Sequence, residues 1–336
     1  MDLSTTYLGL RLRNPLVASA SPLSRTVDDV RRLADGGVGA IVLYSLFEEQ
    51  LRREAEENAR LADAGTESFA ESLSYFPDDV ADERGARRYL SLLARAVAAV
   101  DVPVLGSLNG ITPSGWSDYA RAMQDVGAAA IELNIYYLPG DPHTTAREVE
   151  QRHIDVLERV KDVVGIPVAV KLSPFFSSPG EMAVRLDEAG ADGLVLFNRF
   201  LQPDIDPETL GVERLVPLSS PLEGRLPRTW IALLHGRVRA SLAATTGVET
   251  SADVAKYLLA GADVVQTASA LLRHGPGHAA VLLDGLSGWM AQKGFEAVDD
   301  LRGLLAVAPD ADGAAFERAG YVSALRDANR GIYDPS

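Results

Sequence analysis

Residues 168–174 read Val-Ala-Val-Lys-Leu-Ser-Pro, a short apolar run that ends on a lysine, Lys171. Earlier in the chain, residues 129–134 read Ala-Ala-Ile-Glu-Leu-Asn and end on Asn134. Two such runs with a helical pattern between them are typical of a barrel of alternating strands and helices, in which polar residues at strand carboxyl ends usually face a ligand. Burying an unpaired ammonium only for packing is costly. Lys171 is therefore the first candidate for chemistry.

The whole chain repeats this pattern of strand and helix. Near-continuous apolar runs, typical of parallel strands covered on both faces, occur at 15–19, 39–44, 103–107, 129–134, 167–172, 193–198, 239–244 and 262–267. Apolar residues at three- and four-residue spacing predict helices over 87–100, 116–126, 146–163, 179–189 and 251–260. Eight units in series predict a (β/α)8 TIM barrel of the α/β class rather than an open doubly wound sheet.

Local signals mark the helix ends. The predicted N-caps are Ser114, Thr144, Ser178 and Ser251. Glycines that end a helix and lead into the next strand recur at Gly37, Gly127, Gly190 and Gly261.

Two long insertions are predicted, after strand 2 (45–86) and after strand 6 (199–225). Because both follow strand carboxyl ends, we expect them to fold over the active face as lids or subunit contacts, or else to be decorative. The first contains a predicted charged helix (48–62) and an acidic, aromatic stretch (66–83), in which Tyr75 and Phe76 cover the ligand or pack the lid. The predicted domains are a barrel over 1–293 and a C-terminal extension over 294–336 packed on its outside.

Composition narrows the function classes. The 336 residues carry 47 acidic and 32 basic side chains, for a net charge of −15, which argues against nucleic acid and anionic membranes as partners. The chain has no cysteine, which excludes disulfides, thiolate zinc sites and cysteine-ligated iron–sulfur clusters. No histidine shows metal-ligand spacing with carboxylates, so no metal is predicted. The first residues lack signal-peptide features and no apolar run is long enough to span a membrane, which predicts a cytoplasmic protein.

The last third of the barrel predicts a phosphate site. Residues 244–250 read Ala-Thr-Thr-Gly-Val-Glu-Thr after strand 7, and residues 266–271 read Gln-Thr-Ala-Ser-Ala-Leu where strand 8 opens a helix. Amide groups at small-residue turns and helix N-termini bind anions, and barrels commonly hold phosphate after strands 7 and 8. Gly224, with Arg225 and Arg228 nearby, is a further candidate from the segment before strand 7.

Five stretches carry a resemblance to a known family. They are 14–20 (Asn-Pro-Leu-Val-Ala-Ser-Ala), 131–134 (Ile-Glu-Leu-Asn), 170–174 (Val-Lys-Leu-Ser-Pro), 246–250 (Thr-Gly-Val-Glu-Thr) and 261–266 (Gly-Ala-Asp-Val-Val-Gln). The chain resembles the dihydroorotate dehydrogenase family of FMN-containing barrels, which includes the flavin domain of dihydropyrimidine dehydrogenase. The resemblance implies an oxidoreductase that binds FMN at the strand carboxyl ends and acts on CH–CH bonds of a small planar, dihydropyrimidine- or dihydroorotate-like substrate.

The resemblance also implies roles for particular residues. Lys171 is expected at the flavin ring edge, where a cation stabilises the negative charge of the reduced flavin. The residues expected to line the flavin are Ala18, Ser19 and Ala20. Those expected to hydrogen-bond flavin or substrate are Asn109, Asn134 and Asn198. Those expected at the phosphate are Thr246, Gly247, Ala268 and Ser269. Two alternatives stay open, namely that Lys171 pairs with Glu132 and that the asparagines cap loops.

The chain departs from the family pattern at several positions, including Thr246 and Ala268 in the phosphate loops, where relatives often carry glycine. Where relatives place a cysteine base after the strand-4 asparagine, or a serine from another loop, this chain has Tyr137 at the cysteine position. Tyrosine is a reluctant base because its ordinary pKa is about 10. Where many relatives have a lysine at the end of strand 2, this chain has Tyr44 followed by Ser45, and both are expected to contact the cofactor. The expected catalytic residues are therefore Lys171, Tyr137 and Asn134, and dihydroorotate itself is left open as substrate.

Two other functions remain compatible with the sequence. One is a lyase or aldolase-like barrel that uses Lys171 as a Schiff-base nucleophile, and the other is a non-catalytic flavoprotein subunit. The expected partners are a small-molecule substrate, a redox partner protein and a second copy of the chain in a homodimer.

Overall fold

The computed structural model describes residues 1–49, 85–110, 116–213 and 216–327. Eight parallel strands form one closed sheet, because strand 2 pairs with strand 3 as well as with strand 1. In chain order, the barrel strands 1 to 8 are Leu16–Ala18, Ala40–Val42, Val104–Asn109, Ala130–Asn134, Val168–Leu172, Gly193–Leu196, Ser241–Ala244 and Val264–Thr267. The predicted TIM barrel is confirmed.

Helices surround the sheet. They are α1 (Val27–Asp35), α2 (Ala86–Ala99), α3 (Trp116–Asp125), α4 (Ala146–Lys161), α5 (Pro179–Glu188), α6 (Arg225–Leu234), α7 (Ser251–Ala260), α8 (Ser269–His274), α9 (His278–Lys293), α10 (Val298–Leu301) and α11 (Gly313–Asp327). Short 3₁₀ turns occur at Pro22–Ser24 and Pro221–Gly224. The five helices predicted over 87–100, 116–126, 146–163, 179–189 and 251–260 are all present, with ends that differ by at most two residues.

The helix caps were predicted with mixed success. Ser178 caps α5 as expected, since its side chain accepts a hydrogen bond from the amide of the third helical residue. The predictions of Thr144 and Ser251 are wrong by one residue each, because Thr145 caps α4 and Thr250 caps α7. Both true caps have extended backbone, which points the hydroxyl back at the first turn, and the sequence alone does not distinguish neighbouring hydroxyl residues.

Glycine junctions were predicted correctly. The φ angle is positive at all four predicted positions, Gly37, Gly127, Gly190 and Gly261. This left-handed conformation lets the chain leave the helix and enter the next strand at little cost only when no Cβ is present. Ser114, the remaining predicted cap, lies outside the described residues.

A β-hairpin that the sequence analysis did not predict closes the amino-terminal end of the barrel. Its strands are Thr5–Tyr7 and Leu10–Leu12. Tyr7 and Leu12 are buried and pack against residues that point into the barrel, such as Val17 and Val42. The barrel interior is therefore filled at this end, which leaves the carboxyl ends of the strands as the face that can hold a ligand.

The insertions follow strands 2 and 6, as predicted. Within the second, Asp204–Asp206 pairs with Gly211–Glu213 before the turn Pro221–Gly224 leads into α6. At the start of the first insertion, the short strand Leu46–Phe47 pairs with the end of strand 3. The predicted helix over 48–62, apart from its first two residues, and the stretch over 66–83 with Tyr75 and Phe76 lie outside the described residues.

The C-terminal segment contacts the barrel through its first part. The amide of Asp2 donates to the carbonyl of Glu296, and Val298 and Leu301 are buried. Helix α11 has no buried residue. The boundary at residue 293 stays a prediction. Among the described residues, no helix is both long and apolar enough to cross a membrane.

Candidate active site

Polar side chains from neighbouring strands meet at the carboxyl end of the barrel. Asn109 on strand 3 lies opposite Asn134 on strand 4, and Asn134 lies opposite Lys171 on strand 5. Asn198, which follows strand 6, donates from Nδ2 to Oδ1 of Asn134 at 2.7 Å. The register of the parallel strands thus brings together four of the residues predicted from the sequence.

Lys171 belongs to a buried polar network inside the barrel mouth. Its Nζ lies 3.2 Å from Oε1 of Glu132 and 3.3 Å from Oγ of Ser19. Gln266 completes the network, donating to Oε2 of Glu132 at 2.8 Å and accepting from the hydroxyl of Ser19 at 3.1 Å. Glu132 is fully buried and Lys171 is only 7% exposed, so each charge depends on the other for compensation. The pairing that the sequence left open is therefore present.

The same lysine lines a cavity that reaches the loops after strands 7 and 8. This cavity has a volume of about 220 Å³. The predicted site residues in its wall are Ser19, Ala20, Lys171, Asn198, Thr246, Gly247, Ala268 and Ser269. A neighbouring cavity of about 440 Å³ shares part of this wall, namely Phe197, Asn198, Arg199, Val216 and Thr246. Their combined volume falls within the roughly 300–1,000 Å³ that small-molecule sites usually offer.

The turn after strand 7 is left-handed at two successive residues and leaves no room for a side chain at the second, Gly247. The φ angles of Thr246 and Gly247 are +79° and +71°. A Cβ on Gly247 would lie 2.6 Å from the amide nitrogen of Gly224 and 2.8 Å from the carbonyl oxygen of Ser220. Gly224 therefore packs against this turn from behind. Gly224 itself does not line the cavity. Helix α8 has only six residues, so the turn and nearby hydroxyls are the main candidates for holding an anion.

Ser219, which the sequence analysis missed, connects the two loops. It is 5% exposed, and its Oγ accepts a hydrogen bond from the amide of Gly247 at 3.2 Å and lies 3.0 Å from Oγ of Ser269. Its own amide also donates to Oγ of Ser269 at 3.0 Å. The only sequence signal was a pair of serines before Pro221, which is typical of any helix start.

Tyr44 and Ser45, the residues predicted at the end of strand 2, do not line either of these two cavities. The Tyr44 ring packs edge-on against Tyr89 with centroids 5.2 Å apart, and Oγ of Ser45 lies 2.9 Å from Oγ of Ser107. Burial raises the pKa of Tyr44 above its ordinary value, so the phenol is neutral. A tyrosine side chain carries no positive charge in either of its forms. Ala18 ends strand 1 and is buried.

The two tyrosines after strand 4 face different neighbours. The guanidinium carbon of Arg152, on α4, lies 4.2 Å from the centroid of the Tyr137 ring. Tyr136 instead reaches the loop after strand 6, where its ring stacks on Phe200 at 4.4 Å and its hydroxyl accepts from the amide of Leu201 at 2.7 Å. The catalytic role of Tyr137 stays a prediction, and Tyr136 is the tyrosine that contacts the Asn198 loop.

Comparison with known proteins places the chain in a family. A family model described as dihydroorotate dehydrogenase matches residues 2–290. The chain belongs to the dihydroorotate dehydrogenase family. It is thus a member of a family of flavin-dependent oxidoreductases, and the resemblance noted from the sequence is confirmed.

Named relatives cover the barrel nearly completely. The catalytic subunit of dihydroorotate dehydrogenase B (NAD(+)) of Methanothermobacter thermautotrophicus is 26% identical over 328 residues, covering 90% of this chain and 98% of that protein. The NAD-dependent dihydropyrimidine dehydrogenase subunit PreA of Escherichia coli is 24% identical over 320 residues, covering 90% of this chain and 76% of that one. The chloroplastic dihydropyrimidine dehydrogenase (NADP(+)) of Arabidopsis thaliana is 23% identical over 326 residues, with the same two coverages.

Proposed function

We propose that this protein is an FMN-dependent oxidoreductase that acts on a CH–CH bond of a small planar, dihydropyrimidine-like substrate. The observation that carries the proposal is the position of Lys171, a buried ammonium that lines the same cavity as Gly247 and Ser269. A cation at one end of a cavity and anion-binding groups at the other match the ring edge and the phosphate of a flavin mononucleotide.

The residues present fit this cofactor. At the phosphate end, the close approach of Gly247 to the Gly224 backbone leaves no room for a side chain. The Ser219 hydroxyl donates to Oγ of Ser269, and the Ser269 hydroxyl, which has no acceptor among the described residues, can turn as a donor to an anion. Thr246 and Ala268 would contribute backbone groups to the phosphate end of the cavity. At the ring end, Ser19, Ala20 and Lys171 would form the wall. A bound flavin supplies two-electron oxidation and reduction, which no side chain provides.

The asparagine pair supports the substrate class. Because Nδ2 of Asn198 donates to Oδ1 of Asn134, the Asn134 amide keeps a donor and the Asn198 amide keeps an acceptor, and neither has another protein partner in the described part of the chain. A dihydropyrimidine carries adjacent N–H and C=O groups along its ring edge, which such a pair can bind together. Asn134 and Asn198 would then orient the substrate, and Tyr137 is proposed to handle its proton.

The Schiff-base alternative gains no support from the geometry. An amine nucleophile must be able to reach a carbonyl carbon, whereas Nζ of Lys171 is engaged by Glu132 at 3.2 Å and by Ser19 at 3.3 Å. The other alternative, a non-catalytic flavoprotein subunit, rests on the presence of Tyr137 where relatives have their base. The assay described below distinguishes it from the enzyme. A redox partner, a homodimer and a cytoplasmic location stay predictions, the first supported by the words "catalytic subunit" in a relative's name.

A reduction assay tests the function. FMN-loaded protein is mixed without oxygen with dihydroorotate, dihydrouracil or dihydrothymine, and the visible flavin band is followed. We expect one of these compounds to bleach the band and to be released as its unsaturated product. The Asn134→Leu variant should bind FMN yet react at least about tenfold more slowly, because the substrate loses its orienting amide.

Two results would count against this function. A protein whose bound FMN is reduced by dithionite but by none of the three compounds would favour the non-catalytic reading. Borohydride trapping of a carbonyl compound on Lys171 in protein that binds no FMN would favour the lyase reading.

A further inference from the structure

Arg273 joins the loops that surround the proposed phosphate site. It lies on α8, directly after strand 8, and its Nη2 donates to the carbonyl oxygen of Ser219 at 2.7 Å. Its Nη1 forms an ion pair with the Glu249 carboxylate, which follows the Gly247 turn. One guanidinium thus links three segments that are far apart in the sequence.

The ion pair fixes the direction of the guanidinium. Burial by itself would raise the pKa of Glu249, but hydrogen bonds from His274 and Arg273, together with the charge of Arg273, lower it below its ordinary value. His274 Nε2 lies 2.7 Å from the second carboxylate oxygen. Glu249 is only 22% exposed at its side chain, and Arg273 is 31% exposed. A planar guanidinium held by a carboxylate on one side keeps its other N–H directed at Ser219.

Ser219 comes from the long insertion after strand 6, so contacts with other segments hold it in place. Its hydroxyl and amide meet Gly247 and Ser269, the residues proposed to bind phosphate. Donors that are already in place bind an anion more tightly than donors that must first be ordered. A residue that holds the Ser219 carbonyl therefore influences phosphate binding without touching the phosphate.

We propose that Arg273 is a positioning residue that holds Ser219 in the phosphate site, so that the site discriminates in favour of a phosphomonoester. This inference rests on the proposed FMN function. It assigns Ser219 as a ligand of the phosphate and Arg273, with Glu249 behind it, as the group that keeps Ser219 there.

The test compares two flavins that differ only in the phosphate. Dissociation constants of FMN and riboflavin are measured by fluorescence quenching with apoprotein of the wild type, Arg273→Ala, Arg273→Lys and Ser219→Ala. We expect Arg273→Ala to weaken the affinity for FMN roughly tenfold, which is the scale of one charge-assisted hydrogen bond. The affinity for riboflavin should stay unchanged. Arg273→Lys should recover little of the lost FMN affinity, since a single ammonium cannot bridge Ser219 and Glu249 as the planar guanidinium does.

A double-mutant cycle separates positioning from a direct role. If Arg273 acts through Ser219, then Arg273→Ala adds no further loss of FMN affinity in the Ser219→Ala background. Additive losses would overturn the inference, as would an equal loss of FMN and riboflavin. The control is Arg237→Ala, which removes another guanidinium that donates to two backbone carbonyls, those of Ala308 and Ala311. This variant should leave the ratio of FMN affinity to riboflavin affinity unchanged.

The outcomes also separate this inference from the function on which it rests. Wild-type protein that binds neither flavin would contradict the FMN proposal itself. Wild-type protein that prefers FMN to riboflavin, together with an Arg273→Ala variant that keeps that preference, would contradict only the role of Arg273. The thermal midpoint of each apoprotein identifies any variant that fails to fold, and Arg273→Lys then carries the comparison.

Discussion

The Lys171→Met variant is expected to lose about 3 kcal/mol or more of its free energy of unfolding, because removal of one partner leaves the other buried charge uncompensated. Glu132 is fully buried, and Lys171 is its ion-pair partner at 3.2 Å. Urea unfolding followed by circular dichroism measures the change. The matched control is Lys161→Met, which breaks a partly exposed pair with Asp192 and should cost less than about 1 kcal/mol.

A compensating change should separate folding from flavin chemistry. In Lys171→Met/Glu132→Gln both charges are absent, so we expect most of the stability to return. Bound FMN in this double variant should be harder to reduce than in the wild type, since no cation stabilises the reduced ring, and a spectroelectrochemical titration measures that shift. An unchanged potential, or a Lys171→Met variant as stable as Lys161→Met, would contradict the role assigned to Lys171.

The Gly247→Ala variant is expected to lose roughly hundredfold in FMN affinity, since a strained or displaced turn costs about 1–3 kcal/mol. The new Cβ would meet backbone atoms of Gly224 and Ser220 within 3 Å, and backbone cannot move aside as a side chain does. The positive φ angle of +71° adds its own cost. Fluorescence titration of the apoprotein with FMN measures the effect.

Gly9→Ala is the control for backbone strain alone. Gly9 has a similar φ of +74°, a Cβ there would meet nothing within 4 Å, and the residue lies in the hairpin at the opposite end of the barrel. This variant should lose some stability but keep its FMN affinity. Equal FMN affinities of Gly247→Ala and Gly9→Ala would show that the turn after strand 7 does not hold the phosphate.

The barrel was predictable because its signals are local. Each parallel strand is covered on both faces and reads as an apolar run, and each junction glycine has a positive φ angle that its neighbours in sequence require. Lys171 stood out for the same reason, as a charge at the end of a buried strand. The caps at Thr145 and Thr250 were missed by one residue because neighbouring hydroxyls differ only in backbone angles that the sequence does not reveal.

Contacts between distant residues set the part of the site that could not be predicted. Ser219 and Ser269 are 50 positions apart, and their contact depends on how the insertion folds back over strand 8. Gln266 could have been found by the reasoning applied to Lys171, since it is a polar residue inside the apolar run of strand 8. The neighbours of Tyr136 and Tyr137 depend on the path of the loop after strand 4. The spacing of apolar residues in the sequence does not predict that path.

A crystal structure of the wild-type protein grown with FMN tests the central claim most directly. The account predicts one flavin per chain, with its ring edge at Nζ of Lys171 and its phosphate among Gly247, Ser269 and Ser219. A flavin bound elsewhere, a phosphate remote from these three residues, or an empty cavity at saturating FMN would contradict it.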